Sequence, residues 1–175
     1  MSQYRETVLA VLVRPCSGGI IQFGMIWSGK AKICGECTHT FVGGGIEPGE
    51  SAKTALSREL AEEVGLSHDQ YELLPIAHQS SVFTGPETGD GKTKRYQFFL
   101  VVCKQTAQLK GSQEAAAANW FTPHQILGIA EQGLSANKRS MISDLTDLLL
   151  EQYPDLFGGS GSILRRLSGE LALAA

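Results

Sequence analysis

The chain has 175 residues, 42% of them hydrophobic and 19% charged, and carries a formal net charge of -3 at pH 7. That length suits one well-buried core, and the composition excludes a disordered, collagen-like or strongly basic chain. The low basic charge also argues against long nucleic acid as a partner.

The opening stretch, MSQYRETVLAVLVRPCSGG, has no basic start leading into a long apolar run and a small-residue cleavage site, and no segment approaches a membrane-spanning length. A cytoplasmic location without a membrane partner is the expectation. Glu6 to Arg14 and Ile20 to Trp27 are apolar and β-rich, with PCSGG between them as turn chemistry, so a hairpin is predicted. SGKAKICGE reads as a loop. Within it Cys34 and Cys37 have the spacing of half a zinc knuckle, but no second close pair of Cys or His follows to complete four ligands. Two plain thiols are the favoured reading, and Cys16 and Cys103 are likewise expected to be reduced.

CTHTFV predicts a short strand, and GGGIEPGE a second loop too rich in Gly and Pro to be regular. A helix follows over Ser51 to Val64, with Ser51 as N-cap and Gly65 placed to stop it. Ala52, Ala55, Leu56, Leu60 and Val64 recur at helical spacing and should face the core, with the glutamates on the other side. YELLPIAHQSSVFT and TKRYQFFLVVCK predict two strands separated by the loop GPETGDGK. Lys92, Lys94 and Arg95, where that loop meets the second strand, are candidates to meet substrate phosphates; the plainer reading is a solvated strand end. Trp27, Phe83, Tyr96, Phe98 and Trp120 can stack a base, but aromatics in strands are more often core. His39 and His78 read as structural, and His68 and His124 as surface residues.

Ala115 to Ala118 reads as a plain connector, leading to a strand end at Trp120 and Phe121 and a helix start near Thr122, with Pro123 in its first turn. A second amphipathic helix is predicted from about Ser135 to Gln152, with Met141, Leu145, Leu148 and Leu149 as core residues. Residues 1–157 are predicted to form one domain. GGSGS and ILRRLSGELALAA, within residues 158–175, read as a linker and a short tail whose docking is open. The order of strands, helix, strands and helices predicts an α+β fold with helices packed on a mixed sheet.

The chemistry concentrates at the first helix. Glu59 and Glu62 are three residues apart, and Glu59 and Glu63 four, so three carboxylates share a face about one turn long. Like charges so placed repel by a few tenths of a kcal/mol per pair, and something must compensate. Glu50 sits just before the helix and can fold back toward it. Magnesium takes hard oxygen ligands and is held by a few carboxylates with water and substrate phosphates, a need this face fits. Arg58 can fix or neutralise one carboxylate through a bidentate pair, and the glycines before the helix let backbone approach a ligand. A solvated face of i,i+4 pairs is the bland alternative.

Gly44, Glu50, Arg58, Glu59, Leu60, Glu62, Glu63, Gly65 and Leu66 together resemble the Nudix box of the Nudix hydrolase superfamily: G, five residues, E, seven residues, RE, an aliphatic, any residue, EE, any residue, G, an aliphatic. Every fixed position matches. The resemblance implies an α/β/α sandwich around a mixed sheet, covering roughly Glu6 to Gln152. It also implies hydrolysis of a nucleoside diphosphate linked to another moiety, as in a nucleotide-sugar, a nucleoside triphosphate or a dinucleoside polyphosphate. Glu59, Glu62 and Glu63 would then bind Mg2+ or Mn2+, Arg58 would orient a glutamate, Gly44 would offer backbone to the metal site, and Glu50 would support the box electrostatically. Glu114, six residues before Trp120, resembles a late glutamate of the family's founding member and is a candidate metal ligand or general base, with Glu87 as its rival. Val42 stands where many relatives have proline. The same fold can also serve a non-catalytic nucleotide-binding regulator, and the choice between monomer and homodimer is open.

Overall fold

The computed structural model describes residues 4–28, 39–76, 84–87, 93–112, 115–133, 136–157, 164–166 and 168–169. Its organising element is strand β1 (Tyr4–Pro15), in which every residue from Val8 to Val13 is buried. Successive side chains alternate between the two faces of a strand, so such an unbroken apolar run requires cover on both. Val8, Ala10 and Leu12 pack with helix α1 (Ala52–Val64) on one face. Leu9, Val11 and Val13 pack on the other with helices α2 (Pro123–Gly133) and α3 (Ala136–Gln152), through Ile126, Leu127, Ile142, Leu145 and Leu149. The result is the predicted helix–sheet–helix sandwich.

The expected hairpin is present: β1 runs antiparallel to β2 (Ile21–Ser28) across a 3-10 turn at Ser17–Gly19. On its other edge β1 pairs in parallel with β7 (Thr93–Cys103), residues 4–13 matching 93–102. The short strand β3 (His39–Thr40) and strand β8 (Ala115–Phe121) add to β2, and β5 (Tyr71–Pro75) adds to the end of β7.

Three segments differ from the sequence reading. Gly43, Gly44 and Gly45, expected in an irregular loop, continue from Val42 as strand β4 (Val42–Gly45), antiparallel to the first half of β1. Its glycines are required by close approach rather than by a turn: a Cβ at Gly43 would collide with the Val8 carbonyl. Thr84–Glu87, all but Thr84 assigned to a loop, is strand β6 on the start of β7. The supposed alanine connector is the first part of β8; Ala115 is fully buried, where a small side chain fits between sheet and helix. His78, Phe83, Cys34 and Cys37 lie outside the described residues, as does the side chain of Met141.

The chain continues past α3 into helix α4 (Pro154–Phe157), whose Phe157 is fully buried and stacks on Phe23 at 6.4 Å. Beyond it Leu164 joins the same core, and the Ser168 and Ser143 hydroxyls, both buried, lie 3.0 Å apart. Among the described residues no helix is long and apolar enough to cross a membrane.

Candidate active site

Helix α1 is set by local chemistry at both ends. The Ser51 hydroxyl accepts the Thr54 amide at 3.1 Å. Gly65 takes the left-handed conformation (φ 67°, ψ 24°), which lets its amide reach the Ala61 carbonyl and the Leu66 amide reach that of Leu60. Ala55, Leu56, Leu60 and Val64 are fully buried, as their spacing predicts.

The glutamates do not all lie opposite that stripe. Glu59 and Glu63 are only 8% and 9% exposed, because they continue an i,i+4 series from Ala55 along the edge of the buried face. They meet strand β4. A Cβ at Gly44 would fall on the Glu59 carboxylate, and the Gly43 amide donates to Glu63 Oε2 at 2.9 Å. The glycine run therefore brings sheet backbone against two buried carboxylates.

Arg58 joins the remaining acids. Its Nε and Nη2 donate to the two oxygens of Glu50, both at 3.1 Å, in the bidentate pairing expected of a guanidinium. Its Nη1 donates to Glu59 Oε1 at 2.7 Å and Glu62 Oε2 at 3.2 Å, and Nη2 also reaches the Gly45 carbonyl at 3.0 Å. One cation thus offsets three carboxylates and ties helix to strand. Bonding to Glu50, then to Glu59, holds the Arg58 pKa well above its ordinary value.

The Arg58 guanidinium, followed by the Glu47 amide, holds the Glu50 carboxyl below its ordinary 4.5. A depressed folded-state pKa contributes stability that is full above the unfolded value and lost as pH falls through the lowered one. Glu50→Gln should therefore flatten the decline of Tm with acidification below about pH 4.5. Melting curves of both proteins on stepwise acidification check this; parallel declines would contradict it.

The NUDIX domain family model matches residues 3–145. The chain belongs to the Nudix domain family. Among solved structures it is similar to an Ap4A hydrolase of C. elegans in binary complex (21% identity, 96% of this chain and 98% of that chain covered, TM-score 0.57). It is also similar to the Nudix hydrolase RenU of M. smegmatis (16%, 95% and 88%, TM-score 0.59). A third likeness is to the E. coli dihydroneopterin triphosphate pyrophosphohydrolase (19%, 72% and 87%, TM-score 0.54). Comparison with curated protein sequences returned no match. At these identities the solved structures establish the fold; the family match with its complete box makes the chain a pyrophosphohydrolase.

The other Nudix candidates are placed unevenly. Lys92 and Glu114 lie outside the described residues, and Glu87 is described only as the backbone end of β6. Arg95 pairs with Glu6 at 3.1 Å and lies over the Tyr4 ring at 4.3 Å, whereas Lys94 is half-buried on the opposite face of β7. Trp120 donates its indole N–H to the Ala107 carbonyl beneath the Arg14 guanidinium, a structural assignment. His39 packs edge-on to Phe121, and burial lowers its pKa. Among the described residues no three His, Cys, Asp or Glu side chains converge closely enough to hold an ion. The sequence reading missed Arg5, whose guanidinium lies against Gly45; an exposed arginine near a strand start carries no signal of its own.

Proposed function

We propose that this Nudix enzyme cleaves the pyrophosphate bond of a nucleoside diphosphate linked to a further moiety, with magnesium or manganese held at the box. The observation that carries this reading is the Arg58 network, together with the Gly43 amide on Glu63. It holds the acids in fixed orientations, as a metal site needs before an ion arrives. The donor chemistry suits a hard divalent cation, with carboxylates on adjacent helical turns beside side-chain-free backbone, and a bound ion would draw them closer together than they stand here. Glu59, Glu62 and Glu63, with backbone at Gly44, would hold it. When bound, such an ion neutralises phosphate oxygens and acidifies a water.

The chain's own residues then have separable roles. Arg58 holds Glu59 and Glu62 in place by hydrogen bonds, Glu50 anchors Arg58, and β4 brings its backbone to the helix without blocking the face. Glu114 serves as general base or late ligand. Glu114→Gln should lower kcat by roughly 10²-fold with a modest change in KM, since a base acts in the transition state more than in binding. Near-parental kcat would move the base to Glu87 or Glu59. A cytoplasmic location belongs to the same reading, supported by the free thiols of Cys16 and Cys103.

The test is a turnover screen of nucleotide-sugars, nucleoside triphosphates and dinucleoside polyphosphates, with and without magnesium. Metal-dependent release of product from at least one class supports the enzyme. Nucleotide binding without turnover of any would favour the non-catalytic regulator.

A further inference from the structure

The start of β1 divides its charges by face. Tyr4, Glu6 and Arg95 share the α1 face, where the Glu6–Arg95 pair and the Tyr4 ring leave little net charge. Arg5 and Lys94 occupy the opposite face and stand directly across from each other in the parallel β1–β7 register. Strand alternation places them in line with Leu9 and Phe98, which pack toward α2 and α3. Like charges opposed across a ladder repel. Among the described residues neither has a carboxylate partner, although Arg58 and Arg95 both do.

Arg5 lies close to the box. A Cβ at Gly45 would come within 3.0 Å of Arg5 Nη2 and 3.1 Å of its Nε, so this glycine makes room for the guanidinium. The Gly45 carbonyl accepts from Arg58, and the neighbouring Gly44 abuts Glu59 on the other face. The glycine run of β4, Gly43, Gly44 and Gly45, thus separates carboxylates from cations. Among the described residues β4 pairs only with β1, and none of them closes its outer edge.

We infer that Arg5 and Lys94 form a phosphate subsite that selects substrates with three or more consecutive phosphates. The inference rests on the proposed pyrophosphate cleavage at the box: the reacting pyrophosphate lies on the carboxylate face, and a further phosphate crosses the edge of β4 to the cations. A sugar linked through a diphosphate has no phosphate left to place there. The pair therefore sets substrate class; the box performs the chemistry.

Arg5→Gln and Lys94→Gln are measured with a nucleoside triphosphate and with a nucleoside diphosphate sugar, beside Lys104→Gln as a control for charge at the exposed far end of β7. Each test variant should lower the ratio of kcat/KM for triphosphate over sugar by roughly tenfold or more, the worth of a charge-assisted hydrogen bond. The control should keep the parental ratio. An unchanged ratio in both test variants overturns the subsite while leaving the proposed hydrolysis intact. Should the parent turn over nothing, calorimetric titration with magnesium tripolyphosphate still decides: weaker binding to Arg5→Gln supports the subsite, and equal binding overturns it. Unchanged melting temperatures exclude unfolding as the cause of either result.

Discussion

Glu62→Gln is expected to lower kcat by about 10²- to 10³-fold while leaving stability within about 0.5 kcal/mol of the parent. The separation of the two effects follows from where the side chain sits. Glu62 is 60% exposed, and its partner is Arg58 at 3.2 Å and an i,i+4 spacing. Exposed pairs of that kind contribute a few tenths of a kcal/mol, so the fold has little to lose. A ligand to a catalytic ion contributes several kcal/mol to the transition state instead, and a neutral amide is a poor substitute for a carboxylate oxygen. Steady-state kinetics at saturating magnesium, with urea unfolding of the same preparations, checks both halves. Full turnover in the variant would return Glu62 to a solvated helix face.

Arg58→Met is expected to destabilise the metal-free protein by about 2–4 kcal/mol and to recover part of that loss when magnesium is added. Arg58 is the shared partner of Glu50, Glu59 and Glu62, and its own side chain is 26% exposed against 12% for Glu50 and 11% for Glu59. Removing it leaves poorly solvated carboxylates facing one another. A divalent ion can then supply the missing positive charge between Glu59 and Glu62, though not the strut to the Gly45 carbonyl. Unfolding midpoints in chelator and in magnesium measure both effects. A loss below about 1 kcal/mol in chelator would make Arg58 an ordinary surface arginine. The crowding of acids on α1 is thus already answered within the chain, so a single carboxylate deletion brings no release of strain.

What could be read in the sequence was what local chemistry decides. Ser51 and Gly65 bracket α1 because a cap hydroxyl and a left-handed glycine act within one turn. The hairpin and the spacing of the box carboxylates are equally local. What escaped was set by distant partners. Gly43 to Gly45 carry no strand propensity and form one because β1 and the buried glutamates lie on either side. Ala115 to Ala118 form a strand because β2 pairs with them. The burial of Glu59 and Glu63 did leave a trace, the i,i+4 series from Ala55, which the polarity of the side chains concealed. Arg5 left none: its position matters only once register sets it across from Lys94.

The parallel ladder between β1 and β7 joins positions far apart in the chain, as the separation of 89 positions between Glu6 and Arg95 shows. On the ribosome, the apolar run from Val8 to Val13 emerges first and keeps one edge unpaired until Cys103 has been made. The hairpin with β2 and the short β4 can occupy only the opposite edge in the meantime. Non-local parallel pairing of this kind forms slowly and exposes sticky backbone while it waits. Helix α1, with its caps in place, is complete far earlier, so the acidic face is built before the sheet that supports it closes. Soluble yield is therefore expected to depend on how well that open edge of β1 is shielded during synthesis of residues 16–92, a stretch that includes the whole Nudix box.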